Sequence, residues 1–435
     1  MSKTLKLALI GEALLANIYL PLTNGIFLVY IASLGYDIES MSHIIAFSSL
    51  PAVAIGLILY KWPNILKKGN IKKRFLTVHA GERLLWLFTP FLKNLEHLLL
   101  LYTIKNFFSS LISLQLNQLI YGSFKEKDIR DVTAKRSSAA SASSILGYFL
   151  ATTFLSLGDK GFFYSFVYGS IIGLASTVLM AFPKLKIESR TEPKRIREVE
   201  KIYTVSLYQV FYIASANLLS VFWVYILISK LGLPAYWATT ISLVGTATSI
   251  ASSLLWGRLS FKYYKISLAF DSITPILIFI TGNPFAHLGL SSYNSLFSTG
   301  SGFLGGFLYA RYLGNLGPSR AAFLLISLSG LGQLLAALLG SFVKEDYILL
   351  ASSVVFFKFS ALAIAYLAIP EVAIVPGHMA RSYAGTLFHI SLSGYRLTLE
   401  ISWEAVLMTL RIIVLTFSFL ILYIIYRLAF ILIGV

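Results

Sequence analysis

The chain has no cysteine among its 435 residues, which excludes disulfide bonds and thiolate metal sites. Charge is also scarce. Charged residues make up 13% of the chain and hydrophobic residues 57%, whereas an average soluble domain has about 25% charged and roughly 45–50% apolar residues. A surface facing lipid requires such a composition, so size rules for soluble domains do not apply.

The sequence also shows no pattern that carries catalysis. Its six histidines have no metal-ligand spacing, and no nucleophile–histidine–acid arrangement stands out. The glycine-rich stretch 300–306 is followed by no Gly-Lys-Ser/Thr and preceded by no strand, so it is not a phosphate loop. We therefore expect a protein that is not an enzyme and that needs no cofactor or metal.

Long apolar runs recur along almost the whole chain, and each run of about 18 residues or more predicts a membrane-spanning helix. We expect a polytopic membrane protein whose fold is all-α apart from a short hairpin near its end. The predicted helices are 6–33, 40–60, 73–93, 97–122, 137–157, 161–183, 205–230, 235–257, 265–282, 285–312, 319–342, 346–368 and, as a thirteenth, 403–433.

Basic residues outnumber acidic ones, with 36 Lys and Arg against 19 Asp and Glu. They lie mainly in alternate short loops, as in the stretch 61–74, which has six basic residues and no acid. This distribution excludes a folded basic face for nucleic acid and indicates retention of those loops in the cytoplasm. Of the 36 basic residues, 25 fall in the predicted inner segments and four in the outer turns. We expect a plasma-membrane protein with a cytoplasmic N-terminus.

A polar stretch divides the predicted helices into two sets of six. Residues 185–204 are charged and contain a proline, which is typical of a cytoplasmic linker. The predicted domains are therefore a six-helix half over 1–184, the linker 185–204, a second half over 205–370, a segment over 371–402 and a last helix over 403–435.

The two halves share local sequence features. Gly56-Leu-Ile-Leu-Tyr-Lys61 closes the second helix, and Gly257-Arg-Leu-Ser-Phe-Lys262 closes the eighth. Arg136 and Arg320 each lie at the start of a predicted helix and are followed directly by small residues. In these features the chain resembles the major facilitator superfamily, whose members have twelve helices in two halves. In both copies of the family's gate signature the acidic residue is replaced, here by Tyr60 and Phe261.

The resemblance implies a secondary transporter in which two bundles rock about a central site. The solute is then a small organic molecule or anion. Two other functions stay open: a carrier-like membrane subunit or scaffold in a larger complex, and a lipid or glycan flippase. The lost acidic gate residues and the extra C-terminal segment favour a scaffold, because such additions suit a protein partner.

Charged residues at membrane depth are costly and default to functional roles. For coupling or gating we select Glu12, Glu82, Asp271 and, from the gate signature, Arg258. For substrate binding we select Lys105, because the fourth helix lines the cavity of the resembled family and often carries a basic residue. A structural alternative pairs Lys105 with Glu82. Arg83 is expected not to pair with Glu82, since neighbouring residues on a helix point about 100° apart. We expect a structural role for Lys358.

Polar residues on the other cavity-lining helices of the family are further candidates for substrate binding. We select Asn17, Asn217, Asn294 and Tyr212. Asn17 and Asn217 occupy equivalent depths in the first helix of each half. The alternative is that such amides tie helices together.

The segment Phe388–Ser402 alternates apolar and polar residues with period two around Ser393-Gly394. This pattern predicts a small amphipathic β-hairpin. Its apolar face needs cover from lipid headgroups, the bundle or a protein partner.

Overall fold

The computed structural model describes residues 3–61, 70–124, 126–183, 185, 199–316, 318–343 and 346–393. This part of the chain is helical and contains no strand. Its α-helices, in chain order, are α1 Lys3–Leu22, α2 Asn24–Ser33, α3 Ile38–Lys61, α4 Ile71–Phe88, α5 Leu95–Ser123, α6 Glu126–Leu155, α7 Asp159–Ala181, α8 Val199–Tyr225, α9 Tyr236–Arg258, α10 Tyr264–Ile280, α11 Pro284–Leu316, α12 Pro318–Val343, α13 Tyr347–Ala368 and α14 Gly377–Ser393.

Ten helical segments of the described residues are long and apolar enough to cross a membrane, with α1 and α2 counted together. α4 and α11 are not among them. α4 carries five charged residues and α11 is rich in serine and glycine. Both nevertheless pack inside the bundle, α4 against α5 and α7, and α11 against α9 and α10. The chain is thus a polytopic membrane protein. Following the predicted division, we call α1–α7 the N half and α8–α13 the C half.

The first crossing, predicted as one helix over 6–33, is broken in the structure. α1 ends at Leu22, one residue after Pro21, and α2 begins at Asn24. A proline inside a helix removes a backbone hydrogen bond and kinks it. Thr23 at the break donates its hydroxyl to the carbonyl of Tyr19 over 2.9 Å. The break places Asn24 at the start of a new helix within the first candidate membrane span, Thr4–Ser33.

Other predicted boundaries shift by several residues. α6 begins at Glu126 rather than 137, and α8 begins at Val199, so 199–204 of the predicted linker are helical. The predicted thirteenth helix over 403–433 lies outside the described residues. The domain division stays a prediction.

The predicted β-hairpin is wrong over Phe388–Ser393, which belong to α14; the rest of the predicted hairpin lies outside the described residues. α14 packs against α8 and α13. Ala380 and Ala384, four residues apart, are fully buried, and Phe388 on the same face meets Tyr203 edge to face at 5.6 Å. A short alternation of period two does not by itself distinguish a strand from a helix. Here the buried contacts recur at helical spacing, and packing against α8 and α13 stabilises the helix.

Close contact between the halves is made by α3 and α12. Small residues line this contact, so that a Cβ added at Gly330 would meet the backbone nitrogen of Val53 at 2.9 Å. A Cβ added at Gly340 would likewise meet the Cβ of Ser42, at 2.8 Å. Small residues let helix backbones approach each other in a membrane, where packing replaces the hydrophobic effect.

The second contact between the halves joins α6 to α9. Thr152 donates its hydroxyl to the hydroxyl of Thr239 over 3.0 Å, near the end of the bundle opposite to the start of α1. We call that end the far face and the end where α1 begins the N face. Near the far face one apolar cluster runs through both halves and includes Ile31, Phe222 and Leu350, each fully buried. The halves are therefore closed on each other there.

Candidate functional site

A cavity of about 440 Å³ lies between the two halves. The N half contributes residues of α2, α3, α5 and α6, and the C half contributes residues of α8, α9, α11 and α12. Its polar lining residues are Asn24, Ser48, Tyr102, Asn106, Tyr148, Asn217, Ser220, Ser242, Thr246, Ser249, Ser291, Asn294, Ser295 and Gln333. None of the described residues that line it is charged. The volume suits a small organic molecule.

Lys105 lies directly behind this lining and is 5% exposed. Its ammonium donates to Asn24 Oδ1 over 2.7 Å and to Asn106 Oδ1 over 3.0 Å. It also lies 4.8 Å from the ring centre of Tyr102 and 5.2 Å from that of Trp86. Amide oxygens and aromatic faces stabilise a cation without neutralising it. The structure therefore holds a positive charge one side chain away from the cavity.

Glu82 is not the partner of Lys105. Its carboxylate accepts hydrogen bonds from Tyr19 at 2.9 Å, Trp86 at 3.2 Å and Ser109 at 3.4 Å. It also forms a buried ion pair with Arg83, with 2.9 Å between Oε2 and Nη1. Within the described residues no carboxylate lies within 4.0 Å of the Lys105 ammonium. The predicted pairing of Lys105 with Glu82 is therefore not formed.

The prediction that Arg83 does not pair with Glu82 is wrong. The angular argument holds for the Cα–Cβ directions, but the arginine side chain is long enough to fold back to its neighbour. Burial favours this geometry, because both side chains are at most 3% exposed and an uncompensated charge there is costly.

Glu12 forms a second buried cluster, nearer the N face. Its carboxylate lies 2.7 Å from Nη2 of Arg136 in α6 and 3.5 Å from Nε2 of His79 in α4. His79 Nδ1 lies 2.7 Å from the hydroxyl of Thr177 in α7. This cluster links α1, α4, α6 and α7, all of them helices of the N half.

The C half contains a corresponding buried pair. Asp271 in α10 and Lys358 in α13 have 2.6 Å between Oδ1 and Nζ. The Lys358 ammonium lies 5.7 Å from the ring centre of Tyr212, and Tyr212 donates its hydroxyl to the carbonyl of Ser298 over 2.8 Å. None of these residues lines the cavity. Arg258 is exposed at the end of α9.

The predicted asparagines separate in the structure. Asn217 and Asn294 line the cavity and Asn17 does not. Asn17 and Asn217 each donate the side-chain amide to the carbonyl four residues earlier, at 2.7 and 2.8 Å. Asn294 Oδ1 is buried and has no hydrogen-bond partner. Substrate binding by Lys105, Asn17, Asn217, Asn294 and Tyr212 stays a prediction, as do coupling by Glu12, Glu82 and Asp271 and gating by Arg258.

Sequence reasoning missed part of the cavity wall, above all on α9. Ser242, Thr246 and Ser249 line the cavity at spacings of four and three residues. A helix presents residues at such spacings on one face. Because α9 has five further serine and threonine residues, its polar content was a signal for a cavity wall but did not mark which face lines the cavity.

Comparison with known proteins rests on structure alone. No family profile matches the sequence, and no curated protein is similar to it at the sequence level. Among solved structures, the nucleoside transporter NupG superposes with a TM-score of 0.61 at 13% identity, covering 83% of this chain and 99% of that one. A bacterial homologue of the human lysosomal transporter Spinster superposes in an inward-facing, unoccupied conformation with a TM-score of 0.53 at 12% identity, covering 90% and 97%.

The same Spinster homologue in an inward-facing, occupied conformation gives a TM-score of 0.56 at 13% identity, covering 90% of this chain and 98% of that one. The similar structures are those of transporters. The chain therefore shares the fold of these proteins.

Proposed function

We infer that this protein is a secondary transporter that moves a small organic solute or anion across the membrane by alternating access. The observation that carries the proposal is the cavity between the halves, whose wall is drawn from four helices of each half. A site shared in this way is exposed to one side or the other when the halves rock. The structurally similar proteins bear transporter names, which supports the same function.

The distribution of charge supports movement of the halves as units. Glu12–Arg136 and Glu82–Arg83 lie within the N half, and Asp271–Lys358 lies within the C half. Among the described residues, the contacts between the halves given above are made by small residues, hydroxyl groups and apolar side chains. Separating the halves at these contacts breaks no buried ion pair, whose loss would be costly.

We propose that the N face is cytoplasmic and that the membrane is the plasma membrane. The basic residues of the loops at the N face support this orientation, because such loops are retained inside.

Glu12, Glu82 and Asp271 are the acidic groups at depth that proton coupling would use. Uniport needs none of them.

The absence of cysteine permits a direct test of alternating access. Thr152→Cys and Thr239→Cys place two thiols where hydroxyl groups lie 3.0 Å apart, so an oxidant should lock the far face. A third thiol, from Ser249→Cys, reports on the cavity. In the locked protein a membrane-impermeant thiol reagent added at the far face should not reach residue 249, and reduction should restore labelling.

The control for this test is Lys93→Cys in the locked background, because Lys93 is exposed near the far face and should be labelled in both states. Thr152→Cys without its partner should leave labelling insensitive to oxidant. If residue 249 is never reached from the far face, even after reduction, the halves do not open there and the transporter proposal fails.

A membrane subunit or scaffold is the second function. It is favoured by the replacement of the acidic gate residue by Tyr60 and Phe261 and by the chain that continues beyond α13. A partner would then bind the C-terminal segment. Purification from native membranes separates the two functions, since a scaffold should be recovered in a stoichiometric assembly and a carrier alone.

A further inference from the structure

One cation in the described part of the molecule differs from every other buried charge. Six charged side chains there are buried: Glu12, Glu82, Arg83, Lys105, Asp271 and Lys358. Five of them have an opposite charge within 4.0 Å. Lys105 does not. A buried ammonium is costly unless an anion compensates it, so this site lacks one negative charge.

The neighbours of Lys105 are arranged to present that charge to the cavity. Asn24 and Asn106 turn their amide oxygens to the ammonium. Asn24 Oδ1 accepts a further hydrogen bond, from Tyr102 at 3.1 Å. The Nδ2 groups of both asparagines donate to no other described residue, although both residues line the cavity. Each amide thus offers two N–H donors on the side away from the lysine.

An amide whose oxygen accepts a hydrogen bond from a cation becomes a stronger donor through its N–H groups. The ammonium attracts the carbonyl end of the amide dipole and polarises the N–H groups, because hydrogen bonds in a chain strengthen one another at low dielectric. Two polarised amide groups that line the same cavity suit a carboxylate or phosphate oxygen. Hydrogen bonds to an ionised acceptor are about twice as strong as neutral ones.

We propose that Asn24, Asn106 and Lys105 form an anion subsite of the cavity and that the transported solute carries one negative charge. This inference rests on the transport function proposed above. The net charge of the solute follows from Lys105, which among the described residues is the single buried cation without an opposite charge within 4.0 Å. On the C-half wall, the buried and unpartnered Oδ1 of Asn294 accepts a hydrogen bond from an uncharged donor of the solute.

The subsite can be tested before the solute is known, with small acids and their amides. Acetate is compared with acetamide, lactate with lactamide and benzoate with benzamide, by the unfolding temperature of the purified full-length protein as a function of concentration. We expect the anions to bind the wild-type protein about 10- to 100-fold more tightly than the amides, as for a charged hydrogen-bonded group.

Lys105→Met should abolish this preference. Lys93→Met is the matched control, since it removes an exposed lysine that is not near the cavity, and it should keep the preference. General effects of salt are common to all variants and cancel. If Lys105→Met does not fold, Asn106→Ala decides, because it keeps the charge and removes one amide donor; it should weaken anion binding and leave amide binding unchanged.

Three results would overturn the subsite: equal binding of acids and amides, a preference that persists in Lys105→Met, or no binding of any anion. Uptake of the same probes into proteoliposomes separates this inference from the proposed function. Transport of amides without preference for acids keeps the transporter and removes the anion subsite. Anion binding that depends on Lys105 without any transport keeps the subsite and removes the transporter.

Discussion

The Lys358 ammonium and the Asp271 carboxylate lie 2.6 Å apart and are both at most 4% exposed, which ties α13 to α10 inside the C half. Position in the sequence would leave Lys358 on a peripheral helix, in contact with lipid or with a further helix. In the structure its side chain is buried against α10 instead. Replacement by methionine is therefore expected to change the stability of the protein differently at Lys358, which pairs with a carboxylate, and at Lys105, which donates to two amides.

Lys358→Met leaves the Asp271 charge buried without its partner. We expect the free energy of unfolding to fall by about 3–5 kcal/mol, as for other broken buried ion pairs. Adding Asp271→Asn should recover much of the loss, because the remaining charge is then removed. Lys105→Met is the contrasting variant and should not destabilise the protein. Denaturant unfolding in mild detergent measures all four proteins, and a loss of similar size in Lys105→Met would show that Lys105 has a paired structural role.

Gly330→Ala tests the contact between α3 and α12. The added Cβ would meet the backbone nitrogen of Val53 at 2.9 Å, which a side-chain rotation cannot relieve. We expect a loss of about 1–3 kcal/mol, as for overpacking elsewhere, together with slower transport. Gly289→Ala on α11 is the matched control, since nothing lies within 4 Å of its Cβ. It should be neutral or stabilising by up to about 1 kcal/mol through helix propensity. Equal effects of the two substitutions on unfolding temperature would contradict a tight α3–α12 contact.

Two truncations distinguish the parts of the C-terminal segment. Deletion of 394–435 removes only chain beyond α14, and we expect the body formed by α1–α13 to stay folded. Deletion of 371–435 also removes α14, whose Ala380 and Ala384 are buried in contact with the bundle. The longer deletion should lower the unfolding temperature, because it exposes apolar surface of α8 and α13. A body that is equally stable after both deletions would show that α14 adds no stability.

Accessible tags test the orientation. Tags at Lys68 and Glu198 should report inside and a tag at Asp159 outside, since basic loops are retained in the cytoplasm. A tag at Val435 should report outside if residues 403–433 span the membrane. Protease protection in sealed vesicles measures all four positions. An outside report at Lys68 would reverse the whole topology, whereas an inside report at Val435 alone would remove the last crossing.

The sequence alone determined that the chain crosses the membrane many times, and it predicted a division into two similar halves. Those features depend on the lengths of apolar runs and the positions of basic loops, which are local and additive along the chain. The same reasoning found Lys105 and the asparagines of the cavity helices, because polar groups at membrane depth are few.

Only the tertiary structure decided which of these groups meet. Arg83 folds back onto Glu82, and Lys358 reaches Asp271 from another helix. The Lys105 ammonium donates to the side-chain oxygens of two asparagines. Such pairings depend on helix rotation and on side-chain reach, which a one-dimensional pattern does not contain. The same holds for Phe388–Ser393, where contacts with α8 and α13 stabilise a helix over residues whose alternation predicted a strand.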